Sequence, residues 1–391
     1  MSPKQRRGPS SSDAVMGSQR RMAKSGAVAQ DEEGAAGAAS GQQRETAVEQ
    51  YVGIDVSLEQ SSVCVMDRTG QIVREAKVPS DPEALLLFLA RLDGPVTLIG
   101  MEAGPLSQWL HAGLTTAGLD VVLMETRQVK AALSAIPIKT DRRDARGMAQ
   151  LLRMGWFRPV HCKSASAQEV RALLTTRKLL QSKMIDVELG LRGVLRGFGL
   201  RIGRISKGRF AERVRELARG NPMLEQVTEA ILRARDALRT EMSALDKRAR
   251  DLAREEATCR RLMTVPGVGA LTALTFTSAV DDPSRFRSSK QVGAHFGLTP
   301  KKHQSGETDI TGGITKAGDA MTRSMLYEAA QALLTRTQSF SRLRAWGLRV
   351  AQRRGLNRAI VAVSRKLATV LHRMWVDGTP FHFGQEDLRT A

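Results

Sequence analysis

Residues 51–124 present three strand-like runs in succession and then an alternation of helix-like and strand-like segments, an order that few folds accommodate. Apolar residues at alternate positions between turn residues predict strands, and apolar residues three or four apart predict helices. The predicted strands are 51–55, 62–66, 71–78, 96–101 and 121–124, and the predicted helices are 81–92 and 106–117. Three antiparallel strands followed by alternating helices and strands give a mixed sheet covered by helices. This is the order of the ribonuclease-H-like fold.

The chain is strongly basic, and this charge indicates a polyanionic partner, most often a nucleic acid. Its 391 residues carry a formal net charge of +20 and a pI near 10.7. A protein that only binds nucleic acid would also carry such a charge, so the charge does not indicate which reaction, if any, the chain catalyses. No apolar run is long enough to span a bilayer, and the basic start does not resemble a secretory signal. The three cysteines are isolated in sequence, so we expect neither a zinc site nor a disulfide framework, and a reduced, cytoplasmic location. Because a spanning segment is absent, we expect no membrane partner.

Composition and periodicity divide the chain into five segments. Residues 1–49 are a low-complexity tail that we expect to be disordered, and 50–162 form the ribonuclease-H-like domain. Residues 163–260 carry narrow apolar stripes on two long helices, with a glycine- and arginine-rich bend at 197–208. The stripes comprise Leu173, Leu180, Met184, Val187, Leu191 and Leu195 on the first helix, and Leu224, Val227, Ile231, Leu238, Met242, Leu245 and Leu252 on the second. This pattern predicts either an antiparallel helical arm or a coiled-coil dimer contact. Residues 261–384 form a small, mostly helical domain, and 385–391 are a tail.

The C-terminal domain begins with a Val-Pro-Gly-Val-Gly turn between two helix-like segments. Such a turn resembles half of a helix-hairpin-helix, in which the backbone N–H groups of Gly267 and Gly269 would approach a phosphate. A plain helix-turn-helix without a phosphate contact explains the same pattern equally well. Further helices are predicted at 319–335 and 356–375.

Four carboxylates occupy positions that favour a metal site. Asp55 and Glu102 each stand at or next to the end of a predicted strand, and Asp141 and Asp144 are three residues apart on one helical face. A single aspartate after a strand is usually a cap or turn residue. All four together are better explained as oxygen ligands for divalent cations such as Mg²⁺, which support phosphoryl transfer.

The chain resembles the insertion-sequence transposases with an N-terminal DEDD domain, similar to Holliday-junction resolvases, and a C-terminal serine domain. This family includes bridge-RNA-guided recombinases and a pilin-gene invertase. Motifs throughout residues 51–383 carry the resemblance: Tyr-Val-Gly-Ile-Asp55, Gly-Met-Glu102-Ala-Gly, Thr-Asp141-Arg-Arg-Asp144-Ala-Arg, Val-Pro-Gly267-Val-Gly269, and Phe-Gly-Leu-Thr-Pro-Lys-Lys-His-Gln-Ser305-Gly, which continues through Ile-Thr-Lys316-Ala-Gly to Arg323. Two features depart from the family pattern. The N-terminal tail has no counterpart, and His303 stands where an aromatic residue is expected.

The resemblance implies that Asp55, Glu102, Asp141 and Asp144 bind Mg²⁺ and that Ser305 becomes covalently joined to DNA. A serine hydroxyl needs a base or a metal to activate it. Glu307 and Asp309 are nearby acids, and His303 is a candidate base, but docking of the serine domain on the carboxylates, even those of another protomer, is more economical. The cations expected to neutralise the phosphate and its neighbours are Lys301, Lys302, Lys316 and Arg323.

The resemblance thus predicts a DNA transposase or recombinase, acting as a homo-oligomer through the arm and guided by an RNA from its own element. Three alternatives remain. A site-specific invertase would use identical chemistry at a fixed pair of sites, and a structure-specific nuclease would use the carboxylates alone. A basic architectural protein would need neither group.

Overall fold

The computed structural model describes residues 49–134, 138–206 and 208–384. The two predicted tails, 1–49 and 385–391, lie outside the described residues apart from Glu49. Within the described ranges, no helix is both long and apolar enough to cross a membrane.

A six-stranded mixed sheet forms the core of the N-terminal half. Its strands are β1 (Gln50–Asp55), β2 (Gln60–Asp67), β3 (Ile72–Pro79), β4 (Val96–Glu102), β5 (Val121–Met124) and β6 (Pro159–Val160), in the spatial order 3-2-1-4-5-6. β1, β2 and β3 are antiparallel neighbours, β4 and β5 run parallel to β1, and β6 pairs antiparallel with β5. This arrangement confirms the predicted ribonuclease-H-like sheet.

Four helices cover the sheet: α1 (Pro82–Leu89), α2 (Ser107–Thr116), α3 (Thr126–Leu133) and α4 (Asp141–Arg153). Helix α4 packs closely on β1 because the strand has glycine where the two cross. A Cβ atom on Gly53 would lie 2.2 Å from the carbonyl oxygen of Ala145. Nearer the end of α4, Leu152 belongs to the apolar cluster that Tyr51 contacts. The first turn of α4 therefore lies over the end of β1 that carries Asp55.

The middle of the chain is an antiparallel pair of long helices. These are α5 (Ala165–Gly197) and α7 (Pro222–Glu255), with the short α6 (Phe210–Ala218) between them. Ion pairs joining Arg177 to Asp246 and Arg235 to Glu188 fix the antiparallel direction within one chain. Only a bend was predicted between the long helices, and α6 was missed.

The most buried positions of α7 differ in part from the predicted stripe. Leu224 is buried, but Leu238, Met242 and Leu245 are only half-buried. Arg235 is 2% exposed, and its guanidinium lies 5.0 Å from the ring centroid of Phe210. A charged side chain, shielded by an ion pair and an aromatic ring, thus fills the gap between Ile231 and Leu238 in the predicted stripe.

The C-terminal half is mostly helical, as predicted. It contains α8 (Ala257–Leu262), α9 (Ala270–Val280), a 3₁₀ turn at Pro283–Arg285, α10 (Ser289–His295), α11 (Ala320–Thr335), α12 (Arg342–Arg354) and α13 (Leu356–Asp377). Every residue from Thr272 to Val280 in α9 is buried, and this helix lies at the centre of the largest apolar cluster. The sequence did not predict the antiparallel hairpin of β7 (Pro300–Ser305) and β8 (Thr308–Ile314).

Asp281 attaches the connection between the halves to the end of α9. Its φ of 62° lies in the left-handed region, which is uncommon for a residue other than glycine. The Asp281 carboxylate contacts His161 Nε2 at 2.7 Å and accepts hydrogen bonds from the amide and hydroxyl of Ser164 at 2.8 and 2.6 Å. Lys163 Nζ donates to the carbonyl oxygen of Ala279 at 2.9 Å. Residues 161–164 are therefore fixed to the C-terminal half.

Candidate active site

Asp55 and Glu102 share a cleft at the edge of the sheet. Strands β1 and β4 are parallel neighbours in which Ile54 pairs with Met101, so the residues that follow come side by side. The cleft has a volume of about 330 Å³ and is formed by residues 55–58 and 102–106. The carboxyl ends of adjacent strands thus bring together two of the four predicted carboxylates.

Asp141 and Asp144 approach the same cleft from the first turn of α4. Thr140 caps this helix, because its hydroxyl accepts a hydrogen bond from the Arg143 amide at 3.3 Å. Asp141 is exposed, and Asp144 is half-buried with one oxygen 3.7 Å from Lys139 Nζ. A capped helix start fixes the backbone of both aspartates.

Burial and the three other carboxylates act together on Asp55. The pKa of Asp55 is raised to about 6, first by burial and then by repulsion from Asp144, Asp141 and Glu102, while Lys139 opposes the rise. Repulsion of this kind requires charges close enough to interact through a partly dry medium. The site therefore carries an excess of negative charge that a cation would neutralise.

The donor set fits a hard divalent cation. All four side chains offer carboxylate oxygens, which are the ligands that such ions prefer. As the side chains are placed, no three acidic, histidine or cysteine residues in the described ranges are grouped closely enough to hold an ion. Binding a cation would therefore require the side chains to move closer together, and Asp144 to exchange its contact with Lys139 for the cation.

A clamp centred on Glu75 fixes α4 beside this cleft, and sequence analysis missed it. The Glu75 carboxylate on β3 accepts hydrogen bonds from Arg142 Nε at 2.8 Å and from Arg146 Nη2 at 2.7 Å. Further contacts with the same two guanidinium groups complete the clamp. These hydrogen bonds, above all those from Arg146, lower the pKa of Glu75 to about 2. Because Arg142 follows Asp141 directly, the clamp holds the backbone of both aspartates over the sheet.

Ser305 lies at the tip of the hairpin. It ends β7, pairs with Thr308 across a turn formed by Gly306 and Glu307, and is exposed. Gly306 has a φ of 53°, which glycine adopts without strain. No hydrogen bond or ion pair joins the hairpin to residues 50–162 within the described chain. The structure therefore presents the hydroxyl to solvent and does not bring it to the carboxylates.

The acidic and histidine residues near Ser305 do not contact its hydroxyl. Asp309 forms an ion pair of 3.1 Å with Lys302, and His303 is exposed opposite Ile310. In the described chain, the Ser305 hydroxyl has no hydrogen-bond partner. If this hydroxyl is the nucleophile, as the sequence predicts, the group that activates it would have to come from outside the hairpin or from the exposed side chains around it after they move.

The predicted nucleic-acid contacts differ in how accessible they are. Gly267 faces α11, where an added Cβ would lie 2.5 Å from the carbonyl oxygen of Ala329, and Gly269 faces open space at the start of α9. Arg323 Nη1 donates to the carbonyl oxygens of Phe296 and Ala317 at 3.0 and 2.9 Å. The exposed cations are Lys301, Lys302 and Lys316. Close packing against α11 accounts for the glycine at position 267, and hydrogen bonds to two loop carbonyl groups account for Arg323. Phosphate contacts by all six residues stay predictions.

Two family models match the two halves of the chain. A model described as the transposase family IS116/IS110/IS902 matches residues 259–345, and a DEDD transposase model of the IS110 group matches residues 52–199. Together they cover the proposed carboxylates and Ser305. A DEDD-type domain implies a divalent metal.

Curated relatives extend over most of the chain. The transposase for insertion sequence element IS1111A of Coxiella burnetii is 29% identical over 82% of this chain and 88% of its own length. The transposase for IS1328 of Yersinia enterocolitica is 24% identical over 76% and 88%. A pilin gene-inverting protein of Moraxella bovis is 30% identical, but over 31% of this chain and 37% of its own. Among solved structures, Thermus thermophilus RuvC matches 28% of this chain and 99% of its own at 16% identity, with a TM-score of 0.23.

Proposed function

The chain belongs to the IS116/IS110/IS902 family of transposases, and we propose that it cuts and rejoins DNA through four metal-binding carboxylates and a serine nucleophile. The observation that carries this proposal is geometric: Asp55 and Glu102 end the adjacent parallel strands β1 and β4, and the helix whose first turn carries Asp141 and Asp144 packs over β1 at Gly53. A second support is the exposed hydroxyl of Ser305 at the tip of a hairpin, where a DNA strand has access to it.

We assign the carboxylates to Mg²⁺ because oxygen-only donor sets suit that ion. Bound there, it would offset the negative charge of the phosphate under attack. Asp55 and Glu102 would hold it from the strand ends, and Asp141 and Asp144 from the first turn of α4. The Glu75 clamp would hold the backbone of that turn in place while the side chains bind the ion and a strand is exchanged.

Ser305 would supply the covalent step. Its Oγ forms a bond to phosphorus, the phosphorus bond to the departing deoxyribose oxygen breaks, and the hydroxyl proton passes to that oxygen through the solvent or a nearby side chain. The resulting phosphoserine ester keeps the phosphodiester energy. A second DNA hydroxyl can then attack it, so rejoining needs no ATP. A nuclease, by contrast, would transfer the phosphate to water.

The carboxylates and Ser305 must meet for this chemistry. We propose that another protomer contributes one of the two groups and that the arm holds the protomers together. Apolar side chains remain exposed on the arm, including Leu179, Ile185 and Leu189 of α5. They provide a surface for association beyond the α5–α7 contact within one chain.

We further propose that the chain acts in the bacterial cytosol with a guide RNA from its own element. The net charge of +20 suits binding of both DNA and RNA. Sequencing the RNA that copurifies with the protein tests this part, since transcripts of the flanking DNA would support guidance and random cellular RNA would not.

The similarity to the pilin gene-inverting proteins favours a second candidate, site-specific inversion with the same chemistry. The DNA that flanks the gene separates the two candidates. A mobile element carries a noncoding segment able to fold into a guide, whereas an invertase acts on one fixed pair of sites.

The decisive experiment traps the covalent intermediate. A nicked suicide DNA substrate should become attached to the wild-type protein through Ser305, and mass spectrometry of the adduct locates the residue. Ser305→Ala should lose the adduct and keep DNA binding, because binding depends on basic side chains and backbone amides. Ser324→Ala is a matched control, since Ser324 is also exposed but lies on α11. Cleavage by Ser305→Ala at the wild-type rate would make water the nucleophile and the protein a nuclease.

A further inference from the structure

A large apolar cleft lies between α13 and the foot of the hairpin, which is the end away from Ser305 where Pro300 pairs with Ile314. The proposed chemistry gives this cleft no role. Its volume is about 860 Å³, which is within the range of about 300–1,000 Å³ typical of ligand pockets. Apolar groups from the hairpin side, from α12 and from α13 line it: Leu298, Pro300, Ile314, Trp346, Val361 and Ala362. The cleft can therefore bury a flat apolar group.

The charged residues around the cleft all have the same sign. Lys290, Arg358, Arg365 and Lys366 line it, and no acidic residue does. None of the four forms an ion pair with a residue in the described part of the chain. Lys366 Nζ lies 4.2 Å from the ring centroid of Trp346, so a cation and an aromatic surface stand together. These surroundings suit a group that combines an apolar ring with a negative charge.

The hairpin contributes backbone polar groups to the same cleft. The pairing register passes from Pro300 opposite Ile314 to Lys302 opposite Thr311, and skips Lys301, Gly312 and Gly313. Such a bulge leaves ladder groups without a cross-strand partner. Gly312 and Gly313 line the cleft, and a Cβ atom on Gly313 would have no neighbour within 4 Å. The lack of side chains at the two glycines therefore lets a ligand approach the backbone closely, and Gly313 is not needed to avoid a clash within the protein.

We propose that this cleft binds one unstacked DNA base, with the neighbouring phosphates on its basic residues. The ring would lie against Trp346 and the apolar wall, and the bulged backbone would hydrogen-bond to its edge. Stacking of this kind is sequence-tolerant because every base has a flat face. The inference rests on the proposed function, since Ser305 on the same hairpin is what brings DNA to this place. A base held at the foot of the hairpin would fix that strand relative to the hydroxyl at its tip.

The test compares two probes with the full-length protein. One is a short single-stranded oligothymidylate, and the other is an abasic oligonucleotide with the same number of phosphates. The thymidine probe should bind more tightly, by about 5-fold to 150-fold. Trp346→Ala should remove most of that preference while changing abasic binding little. An equal loss of affinity for both probes would refute base recognition.

A second variant keeps the test valid if Trp346→Ala does not fold. Gly313→Leu introduces a side chain where open space lies, so the fold should survive and the cleft should be blocked. The preference for the thymidine probe should then disappear. Unchanged preference in this variant would place the base elsewhere. An oligouridylate probe that binds more tightly than oligothymidylate would overturn the assignment to DNA.

Photocrosslinking locates the base directly. A 5-iodouracil oligonucleotide should crosslink to Trp346, and mass spectrometry identifies the residue. Trp156→Phe is the matched control, because Trp156 is 58% exposed and lies outside the cleft. A crosslink at Trp156 or Trp109 and none at Trp346 would contradict the inference. The covalent assay separates this result from the proposed function. Crosslinking at Trp346 without a Ser305 adduct would retain the base site and reject serine catalysis. A Ser305 adduct without crosslinking at Trp346 would retain serine catalysis and reject the base site.

Discussion

Replacing Asp55 with asparagine should stabilise the metal-free protein while removing its metal site. Asp55 is half-buried, and three other carboxylates repel its negative charge. Asparagine has nearly the same shape but no charge, so the repulsion and the cost of burying that charge both disappear. We therefore expect a more stable but inactive variant, the opposite of what a structural aspartate would give.

The size of the effect follows from the pKa of Asp55. The rise from 3.8 to about 6 corresponds to an upper bound of about 3 kcal/mol, at about 1.36 kcal/mol per unit of pKa. Because Asp55 is partly exposed, solvent screens its interactions and reduces this to about 1–2 kcal/mol. A stabilisation of this size should raise the melting temperature by a few degrees.

The pH dependence of the stability difference shows which of the two proteins is the more stable. The folded chain keeps the Asp55 proton up to about pH 6, while the unfolded chain releases it near 3.8. The wild type should therefore lose stability, relative to Asp55→Asn, as the pH rises from about 4 to about 6, and the difference should stay constant above that. At about pH 4 the two proteins should melt alike, apart from effects of the shape of the side chain.

Thermal melts in EDTA, repeated across this pH range, measure the effect. Mg²⁺ at about ten times its dissociation constant should stabilise the wild type by about 1.4 kcal/mol and should leave Asp55→Asn unchanged. Asp120→Asn is a suitable control, because this exposed aspartate lies outside the carboxylate cleft. A variant less stable than the wild type at about pH 8 in EDTA would refute the account of mutual repulsion.

Two further predictions concern the assembly of the site. Glu75→Gln should release Arg142 and Arg146 at a cost of about 1–3 kcal/mol in stability, and should raise the Mg²⁺ concentration needed for strand cleavage. Glu83→Gln, a change at an exposed glutamate, should have neither effect. Metal titrations of cleavage measure this requirement, and an unchanged requirement in Glu75→Gln would mean that the clamp does not position α4. Mixing Ser305→Ala with Asp144→Ala should restore covalent adduct formation if different protomers supply the two groups, and an inactive mixture in gel assays would argue that both come from one chain.

Sequence patterns predicted those parts of the fold that depend on local order. The strands were recognisable because apolar residues alternate in them, and Asp55 and Glu102 were recognisable because they end neighbouring strands. Whether Asp141 and Asp144 reach the same cleft depends on the packing of α4 over Gly53. The i, i+3 spacing suggested this approach but could not establish it.

Other features depend on contacts between distant residues, which periodicity does not record. Glu75 and Arg142 are 67 residues apart, so their clamp had no local signal. The hairpin was missed because β7 is a run of exposed polar residues without apolar alternation. Arg235 is buried only because Glu188 and Phe210 surround it from other helices.

The placement of Ser305 and the carboxylates bears on how the proposed cutting would be kept under control. The Ser305 hydroxyl is exposed and has no hydrogen-bond partner in the described chain, and the carboxylates that repel Asp55 lie at a separate place. Each half alone lacks what the other provides, a nucleophile in one case and charge neutralisation in the other. Assembly on DNA would bring both to one phosphate, so cleavage would begin only when the strands to be joined are already bound. The unfavourable charge at Asp55 then has a use, because it favours binding of a cation in the cleft, and that cation would in turn attract the DNA phosphate.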